Sequence, residues 1–298
     1  MTQPSAPLGF LNIDKPAQWT SHDVVARVRR IAGVRQVGHG GTLDPMATGV
    51  LLVCVGKATR LVEYVSGLPK VYHATITFGI ETDTWDAEGR VIAESDASGL
   101  NREQLERLLA PFRGEIEQVP PMYSALKRDG QPLYRLARAG QTVEREPRAV
   151  RIDRLDILNW EPPHLSLEVE CSAGTYIRSL AHDLGQAAGT GAHLSGLVRS
   201  AIGHFALEQA VTLETLADAA EGWRRWLIEP HDALRHLPAV TVSEEQAQDL
   251  GHGRSIAVAE PVSGEILCAY DAAQRLIAVL VPGEGPGLWR PRKVLATG

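Results

Sequence analysis

The residue with the clearest potential for chemistry is Asp44, which follows a glycine-rich turn and precedes Pro45. The turn, residues 38–41, has the sequence GHGG. Proline restricts the preceding residue to extended backbone and glycine permits close backbone approach, so the Asp44 carboxylate can be fixed at the edge of an open cleft. Such a carboxylate is a candidate nucleophile. The alternatives are an ordinary Asp-Pro turn or cap and a phosphate-binding loop, although no Lys-Ser/Thr pair follows the glycines as a Walker motif requires.

Three further side chains could assist this carboxylate. Arg178 lies in the segment 174–178, GTYIR, and a guanidinium beside a buried carboxylate keeps it ionised at neutral pH, as a nucleophile requires. Tyr72 lies in an alternating stretch, where a tyrosine either packs into the core or stacks on a nucleobase. His39, between glycines, is poorly suited to a core and can reach outward. A purely structural role is the alternative in each case, a surface position for Arg178.

The elements that must position these residues follow from hydrophobic periodicity. Residues 8–13 predict a short buried strand, and Thr20 or Ser21 can cap a helix that Gly33 ends. The apolar run 50–55, just after the candidate nucleophile, predicts a central strand. Further strands are predicted at 70–78, from residue 90 onward, at 149–158, 164–171 and about 193–200, and further helices at 101–112 and 175–188.

Two boundaries divide the chain. After a Pro-Pro pair, residues 122–151 are predicted to form an inserted, basic and partly helical excursion. Past Pro238 the pattern changes to short β segments rich in valine, glycine and proline. We therefore expect an α+β fold, with a mixed-sheet domain at 8–236 and a small β-rich domain at 238–298.

The net charge of −6 at first argues against a nucleic-acid partner, but the charge is unevenly distributed. Residues 1–70 contain eight lysines and arginines against four acidic residues, and residues 123–151 contain seven against three. Residues 208–285 contain thirteen acidic residues against five basic ones. The two basic stretches either form an electrostatic footprint for RNA or are ordinary solvated faces.

Several other classes of protein and site are not expected. The three cysteines, Cys54, Cys171 and Cys268, are widely spaced, which is typical of reduced thiols in a cytosolic protein and not of a disulfide framework or a zinc site. None of the ten histidines falls in a metal-ligand spacing, so no metal is expected. No apolar run approaches the ~18 residues that span a membrane, and the N-terminal residues lack the features of a signal peptide.

Six segments of the chain occur in an order that is typical of one family. They are 14–16 (DKP), 38–49 (GHGGTLDPMATG), 70–72 (KVY), 121–127 (PMYSALK), 174–178 (GTYIR) and 191–193 (GAH). Over residues 8–200 the chain therefore resembles the bacterial tRNA pseudouridine-55 synthases of the TruB family. This resemblance implies a largely antiparallel catalytic sheet, and the residues after Pro238 resemble a small RNA-binding domain of the PUA type.

The resemblance also implies a reaction. Uridine becomes pseudouridine when the N1–C1′ bond breaks, the base rotates and C5 forms the new bond, an isomerisation that needs no cofactor and no metal. His39 would fill the space that the flipped base leaves, and Tyr72 would stack on that base and remove the C5 proton. Asp44 would be the nucleophile, acting at C1′ or first on a sugar proton, with Arg178 as its partner. Further substrate contacts are implied for Lys15, Tyr176 and Leu197.

The implied partner is the T-arm of tRNA, bound by a cytoplasmic, monomeric enzyme without an obligate protein partner. Lys127 and Arg128, in the basic insertion, are expected to contact the RNA backbone. The competing candidates for that contact are three basic residues near the end of the chain, Arg290, Arg292 and Lys293.

Two other functions are open at this point. One is a catalytically silent RNA-binding or tRNA-folding protein of the same fold, and the other is a guide-RNA-dependent relative. The joint presence of Asp44, Tyr72 and Arg178 favours an enzyme, because binding alone does not need that carboxylate. The basic insertion and the absence of long extensions favour the stand-alone type.

Overall fold

A computed structural model of the chain describes residues 7–124, 127–128, 131–132, 141, 143–259 and 262–295. The strands in these ranges are β1 (Gly9–Lys15), β2 (Val37–His39), β3 (Thr48–Val55), β4 (Lys70–Phe78), β5 (Ile80–Thr82), β6 (Val91–Glu94), β7 (Gly114–Gln118), β8 (Lys127–Arg128), β9 (Gln131–Pro132), β10 (Arg148–Glu161), β11 (His164–Cys171), β12 (Ala192–Ile202), β13 (Phe205–Ala206), β14 (Val211–Thr212), β15 (Ala239–Thr241), β16 (Ile256–Ala257), β17 (Leu267–Tyr270), β18 (Leu276–Pro282) and β19 (Leu288–Val294). The α-helices in the same ranges are α1 (Ser21–Ala32), α2 (Val62–Ser66), α3 (Arg102–Leu109), α4 (Ile177–Ala188), α5 (Leu213–Asp218), α6 (Pro230–Ala233) and α7 (Glu244–Gly251).

Most of the strands belong to one large sheet. Its strand order is β14-β1-β3-β12-β4-β11-β10-β7, with β2 added to β3 and β13 added to β12. In the described part of the chain its pairings are antiparallel except for β1 with β14 and β3 with β12. A second sheet follows with the order β15-β17-β18-β19-β16. The expected α+β fold, a largely antiparallel sheet followed by a smaller β-rich sheet, is confirmed.

Helix α1 begins and ends where the sequence predicts. The Asp23 N–H donates to Oγ1 of Thr20 at 3.1 Å, and the Thr20 N–H donates to the Asp23 carboxylate at 2.9 Å, which completes a capping box. Gly33 ends the helix with a φ of 63°, a left-handed conformation that glycine adopts without steric cost. The fixed start places Ser21, the first helical residue, beside the glycine-rich loop.

Helix α4 begins two residues later than the predicted helix at 175–188, because Tyr176 is extended, with φ −101° and ψ 110°. Its N–H donates to Oε1 of Gln118 at 3.0 Å, and its carbonyl accepts from Nε2 of the same residue at 3.2 Å. The Gln118 side-chain amide thus hydrogen-bonds both backbone polar groups of Tyr176, as a neighbouring strand would, and keeps Tyr176 out of the helix. This extended start frees Tyr176 and Arg178 from helical spacing, under which residues two apart face different directions.

Strand β3 is buried on both faces, as its continuous apolar run predicts. On one face, Leu51 and Val53 pack in a cluster with residues of α1 and α5. On the other face, Leu52 packs in a cluster that includes Cys268 and Val279 of the second sheet. The two sheets therefore share a core, and β3, which follows the candidate catalytic loop, lies inside it.

Ion pairs also connect the second sheet to the first part of the chain. The carboxylate of Glu63 lies 2.7 Å from Nη2 of Arg292 and 2.9 Å from Nζ of Lys293. Nη1 of Arg60 donates to the carbonyl of Val294 at 2.7 Å. Two of the three basic residues that compete for the RNA contact are thus already paired with a carboxylate.

The three cysteines are free and buried. Burial raises the pKa of Cys54 to about 12, and it raises the pKa of Cys171 and of Cys268 to about 11, so these thiols stay protonated and poorly nucleophilic at neutral pH. Among the described residues, no group of three or more His, Cys, Asp and Glu side chains is arranged to hold a metal ion. Nor does any helix within those residues combine the length and apolarity needed to cross a membrane.

The packing of α4 on β12 yields a stability prediction at Gly185. A Cβ there would lie 2.1 Å from the Ala192 backbone nitrogen and 2.5 Å from the Gly191 carbonyl carbon. Alanine is favoured over glycine in a helix by up to ~1 kcal/mol, but overpacking against backbone costs about 1–3 kcal/mol. We therefore expect Gly185→Ala to lower the free energy of unfolding, measured by urea denaturation.

Gly251→Ala is the matched control, because Gly251 ends helix α7 and a Cβ there would meet no heavy atom within 4 Å. This variant is expected to be neutral or slightly more stable than the wild type. Equal unfolding midpoints for the Gly185→Ala variant and the wild type would contradict the close approach of α4 to β12.

Candidate active site

The catalytic loop, residues 40–47, connects β2 to β3 and is fixed by side chains from neighbouring elements. The Leu43 N–H donates to Oγ of Ser21 at 2.9 Å, and the same hydroxyl donates to the Leu43 carbonyl at 3.2 Å. The Gln18 N–H donates to the Pro45 carbonyl at 2.8 Å. With the backbone on both sides anchored, Asp44 is held in place while its side chain remains 31% exposed.

Arg178 holds the Asp44 carboxylate with two atoms. Its Nη2 donates to Oδ1 at 2.9 Å, and its Nε lies 2.9 Å from Oδ2. The Arg178 side chain is only 5% exposed, and Nη2 also donates to the carbonyl of Tyr123 at 2.8 Å. The Nη2 contact is a charge-assisted, directional hydrogen bond, whereas Nε and Oδ2 are at ion-pair distance without hydrogen-bond geometry, so Arg178 holds the Asp44 carboxylate in one orientation. The structure thus brings the two predicted residues into direct contact.

Asp86 completes this ionic group, and sequence reasoning did not find it. Its Oδ2 lies 3.6 Å from Nη1 of Arg178, and its side chain is 6% exposed. Its Oδ1 accepts from Oγ1 of Thr84 at 2.5 Å and from the Glu88 N–H at 3.1 Å. Arg178 therefore lies between two carboxylates, one buried and one reaching the surface. The sequence showed only a turn at 86–89, and nothing in that pattern distinguishes a buried aspartate from an exposed one.

A row of four neighbouring residues crosses the sheet beneath the loop. Lys15 on β1 pairs with Gly49 on β3, Gly49 pairs with Arg199 on β12, and Arg199 pairs with Tyr72 on β4. Tyr72 and Leu197 are each 8% exposed, and both belong to the apolar cluster that includes Leu43 of the loop. Leu43, the residue before Asp44, thus packs in the same apolar cluster as Tyr72.

Lys15 is fully buried, in contrast to an exposed substrate-binding lysine. Its Nζ donates to the carbonyls of Trp19 at 2.7 Å, Pro16 at 2.9 Å and Pro45 at 3.1 Å. Burial lowers the pKa of Lys15 to about 8, and the Asp44 carboxylate opposes that shift. Because three carbonyls occupy all its donors, the geometry favours a role in holding the loop over the direct substrate contact that the resemblance implies.

Burial shifts the pKa values of three ring side chains at the site. Burial raises the pKa of Tyr72, while the Arg199 guanidinium acts in the opposite direction. Burial likewise raises the pKa of Tyr176, which is partly exposed. Burial lowers the pKa of His39, as does the neighbouring His22, whose ring meets it edge-on with centroids 5.5 Å apart. An uncharged imidazole suits the space-filling role predicted for His39 better than phosphate binding.

The basic insertion contacts Arg178 through the Tyr123 carbonyl, and a second described residue, Arg145, contacts the neighbour of Asp86 in the chain. The guanidinium of Arg145 lies over the ring of Trp85, 5.4 Å from its centroid, and Nη1 of Arg145 donates to the Pro120 carbonyl at 3.0 Å. Lys127 and Arg128 form a short strand, but their side chains lie outside the described part of the chain. Whether these two residues contact RNA therefore stays a prediction.

The arrangement can perform nucleophilic chemistry on a planar substrate. It offers an oriented, partly exposed carboxylate with a guanidinium behind it, next to an apolar cluster that includes Tyr72 of β4 and Leu197 of β12. An aromatic ring in such a place can stack on a flipped base. Sequence reasoning found most of these groups but missed Asp86 and Arg199; the only available signal for Arg199 was an arginine inside a predicted strand.

Comparison with known proteins identifies the family. Residues 29–177 match the TruB family pseudouridylate synthase (N terminal domain), and residues 178–237 match the tRNA pseudouridylate synthase B C-terminal domain. The chain is 54% identical to tRNA pseudouridine synthase B of Symbiobacterium thermophilum over 253 residues, which cover 84% of this chain and 83% of that one. It is 46% identical to tRNA pseudouridine synthase B of Pseudomonas aeruginosa over 276 residues, 91% of this chain and 90% of the other.

A solved structure has a similar fold. A chain in the structure of an H/ACA RNP bound to a substrate RNA containing 2′-deoxyuridine superimposes with a TM-score of 0.74 at 26% identity, covering 100% of this chain and 92% of that one. The two family domains also continue into each other at Arg178, the partner of the candidate nucleophile. On these grounds the chain belongs to the TruB family of pseudouridylate synthases.

Proposed function

We propose that this protein isomerises uridine to pseudouridine at position 55 in the T loop of tRNA. The observation that carries the proposal is the contact between Asp44 and Arg178, in a loop whose Leu43 packs in the same apolar cluster as Tyr72 and Leu197. A binding protein has no need of an ionised carboxylate at this place, because a negative charge repels the phosphates of RNA. The enzyme names of the similar proteins agree with this reading of the site.

In the proposed reaction Asp44 is the nucleophile. The target uridine leaves the RNA stack, which costs a few kcal/mol, and its base stacks on Tyr72 with Leu197 and Tyr176 lining the pocket. His39 fills the vacated space in the RNA. Asp44 attacks C1′ or first removes a sugar proton, and the bond between N1 and C1′ breaks. The base rotates, C5 bonds to C1′ and Asp44 is released; the Tyr72 phenolate accepts the C5 proton, and N1 takes up one proton. All heavy atoms of the uridine are retained and the proton lost at C5 balances the one gained at N1, so the reaction needs no co-reactant.

The binding partner in this proposal is the T-arm of tRNA, contacted by a cytoplasmic enzyme that acts without an obligate protein partner. Residues 8–236 serve catalysis, with the basic insertion at about 122–151 gripping the RNA backbone. Residues 238–298 form a PUA-like unit that contributes little to affinity, because its neighbourhood is acidic and two of its basic residues are paired with Glu63.

We expect Asp44→Asn to abolish pseudouridine formation while tRNA binding stays within about tenfold of the wild type, because the amide keeps the shape of the carboxylate but is not a nucleophile. Pseudouridine is mapped in an unmodified tRNA transcript after incubation with each protein, and binding is measured by filter retention. Asp96→Asn, at an exposed carboxylate, is the control and should retain full activity. Appreciable turnover by a homogeneous Asp44→Asn protein would overturn the assignment.

Arg178→Ala is expected to lower the rate by roughly a hundredfold or more, since preorganised charge is lost at the reacting group. Arg178→Lys should rescue only in part, because an ammonium lacks the planar fork.

The control for this pair is Arg90→Ala, which removes an arginine that is 90% exposed from a surface ion pair with Asp83. Such pairs contribute at most about 1 kcal/mol, so this variant should match the wild type in rate. An unchanged rate in Arg178→Ala would remove Arg178 from the site.

The RNA surface is tested by two matched double neutralisations. Lys127→Gln with Arg128→Gln should weaken tRNA binding and flatten its salt dependence, each lost phosphate contact reducing the log–log slope by roughly 0.7–0.9. Arg292→Gln with Lys293→Gln removes the same charge from residues that Glu63 already neutralises and should change both quantities less. Binding isotherms at several salt concentrations decide between them, and a larger loss from the C-terminal pair would show that the RNA surface lies there.

A further inference from the structure

Arg199 is the largest side chain among the fully buried ones in the described chain, at 1% exposure. A buried guanidinium is costly unless hydrogen bonds satisfy it completely. In the described ranges it forms no ion pair with a carboxylate; its donors go to backbone carbonyls instead. A cation retained in the core at this cost must stabilise something that an apolar residue could not, and the identity of those carbonyls shows what it is.

The three carbonyls lie on the two sides of Asp44. Nη2 of Arg199 donates to Gly41 at 3.2 Å and Nη1 donates to Thr42 at 3.3 Å, both before the nucleophile. Nε donates to the Val50 carbonyl at 2.8 Å, after it. One rigid, planar group therefore fixes the separation between the beginning of the loop and the strand that follows it.

The position of Arg199 in the sheet ties this loop to the aromatic residue. Its strand, β12, lies between β3 and β4, where Arg199 is paired with Gly49 on one side and with Tyr72 on the other. A Cβ on Gly49 would lie 2.3 Å from the Arg199 carbonyl oxygen, and the φ of Gly49 is +97°, so only glycine fits this close approach. Because Arg199 and Tyr72 are register partners on neighbouring strands, the residue that holds the loop is fixed beside the aromatic residue.

We propose that Arg199 is a positioning residue for the isomerisation: its guanidinium holds the loop that carries Asp44 at a fixed place relative to Tyr72, its register partner on β4. The inference rests on the proposed function and assigns Arg199 no contact with the substrate. Its physical basis is that Asp44, the nucleophile, and Tyr72, the acceptor of the C5 proton, must keep their separation while the uracil leaves C1′, rotates and bonds to it again. A displacement of about 1 Å in such a constellation can reduce the rate about a hundredfold.

The same guanidinium supports the proposed proton transfer. Burial raises the pKa of Tyr72, and the positive charge of Arg199 partly reverses that shift. Removing the charge should therefore raise the pKa of the Tyr72 hydroxyl further. If Tyr72 accepts the C5 proton, any limb of the pH–rate profile that reports its ionisation moves to higher pH in an uncharged variant.

The test uses Arg199→Met, which keeps an unbranched apolar chain but loses the donors and the charge, and Arg199→Lys, which keeps the charge without the fork. Leu165→Ala on β11 is the matched control, because Leu165 is fully buried in the same sheet but far along it from the loop. The measurements are the single-turnover rate of pseudouridine formation at saturating tRNA transcript, its pH profile, the dissociation constant for tRNA, and the melting temperature.

We expect the rate of Arg199→Met to fall about a hundredfold with the dissociation constant nearly unchanged, and the rate of Arg199→Lys to be intermediate. Leu165→Ala should melt at a lower temperature yet turn over at the wild-type rate once bound.

If Arg199→Met does not fold, Arg199→Lys still decides, since a wild-type rate in that variant would overturn the need for the planar fork. A wild-type rate in Arg199→Met, or an equal rate loss in Leu165→Ala, would overturn the inference and leave the proposed function standing. Absence of product from the wild-type protein would overturn both.

Discussion

The site depends on one buried guanidinium shared by two carboxylates. Arg178 contacts Asp44 at 2.9 Å through two atoms and lies 3.6 Å from Asp86. Removing one partner from a buried group of charges costs about 3–5 kcal/mol, so the three residues constrain one another strongly. This contact joins the catalytic loop, the turn at 86–89 and the first turn of α4, elements that are far apart in the sequence.

The sheet beneath the loop supplies the second constraint. Lys15 and Arg199 lie on either side of Gly49. Lys15 directs one donor to the Pro45 carbonyl of the loop, and Arg199 directs its donors to the carbonyls of Gly41, Thr42 and Val50. Two buried cations that form no ion pair within the described ranges are expensive to fold, and here their hydrogen bonds stabilise the conformation of the loop that carries Asp44.

The distribution of charge between the two sheets also has a structural basis. The second sheet packs into a core shared with β3, and its last strand is held to the first part of the chain by Glu63. Basic residues used in this way are neutralised locally, which leaves less of their charge for phosphates. The acidic balance of residues 208–285 therefore does not conflict with an RNA substrate bound elsewhere on the protein.

The sequence by itself determined most of the elements and singled out the candidate nucleophile. The capping residues around α1, the apolar run of β3 and the alternation of β4 depend on local spacing, which a single sequence displays directly. Asp44 and Arg178 were found because their segments resemble a family. Only the tertiary structure decided the extended start of α4 at Tyr176, the full burial of Lys15, and the roles open to Asp86 and Arg199. The physical reason is that hydrogen bonds and ion pairs between distant segments set the burial and partners of a charged side chain, whereas its neighbours in the chain report only local conformation.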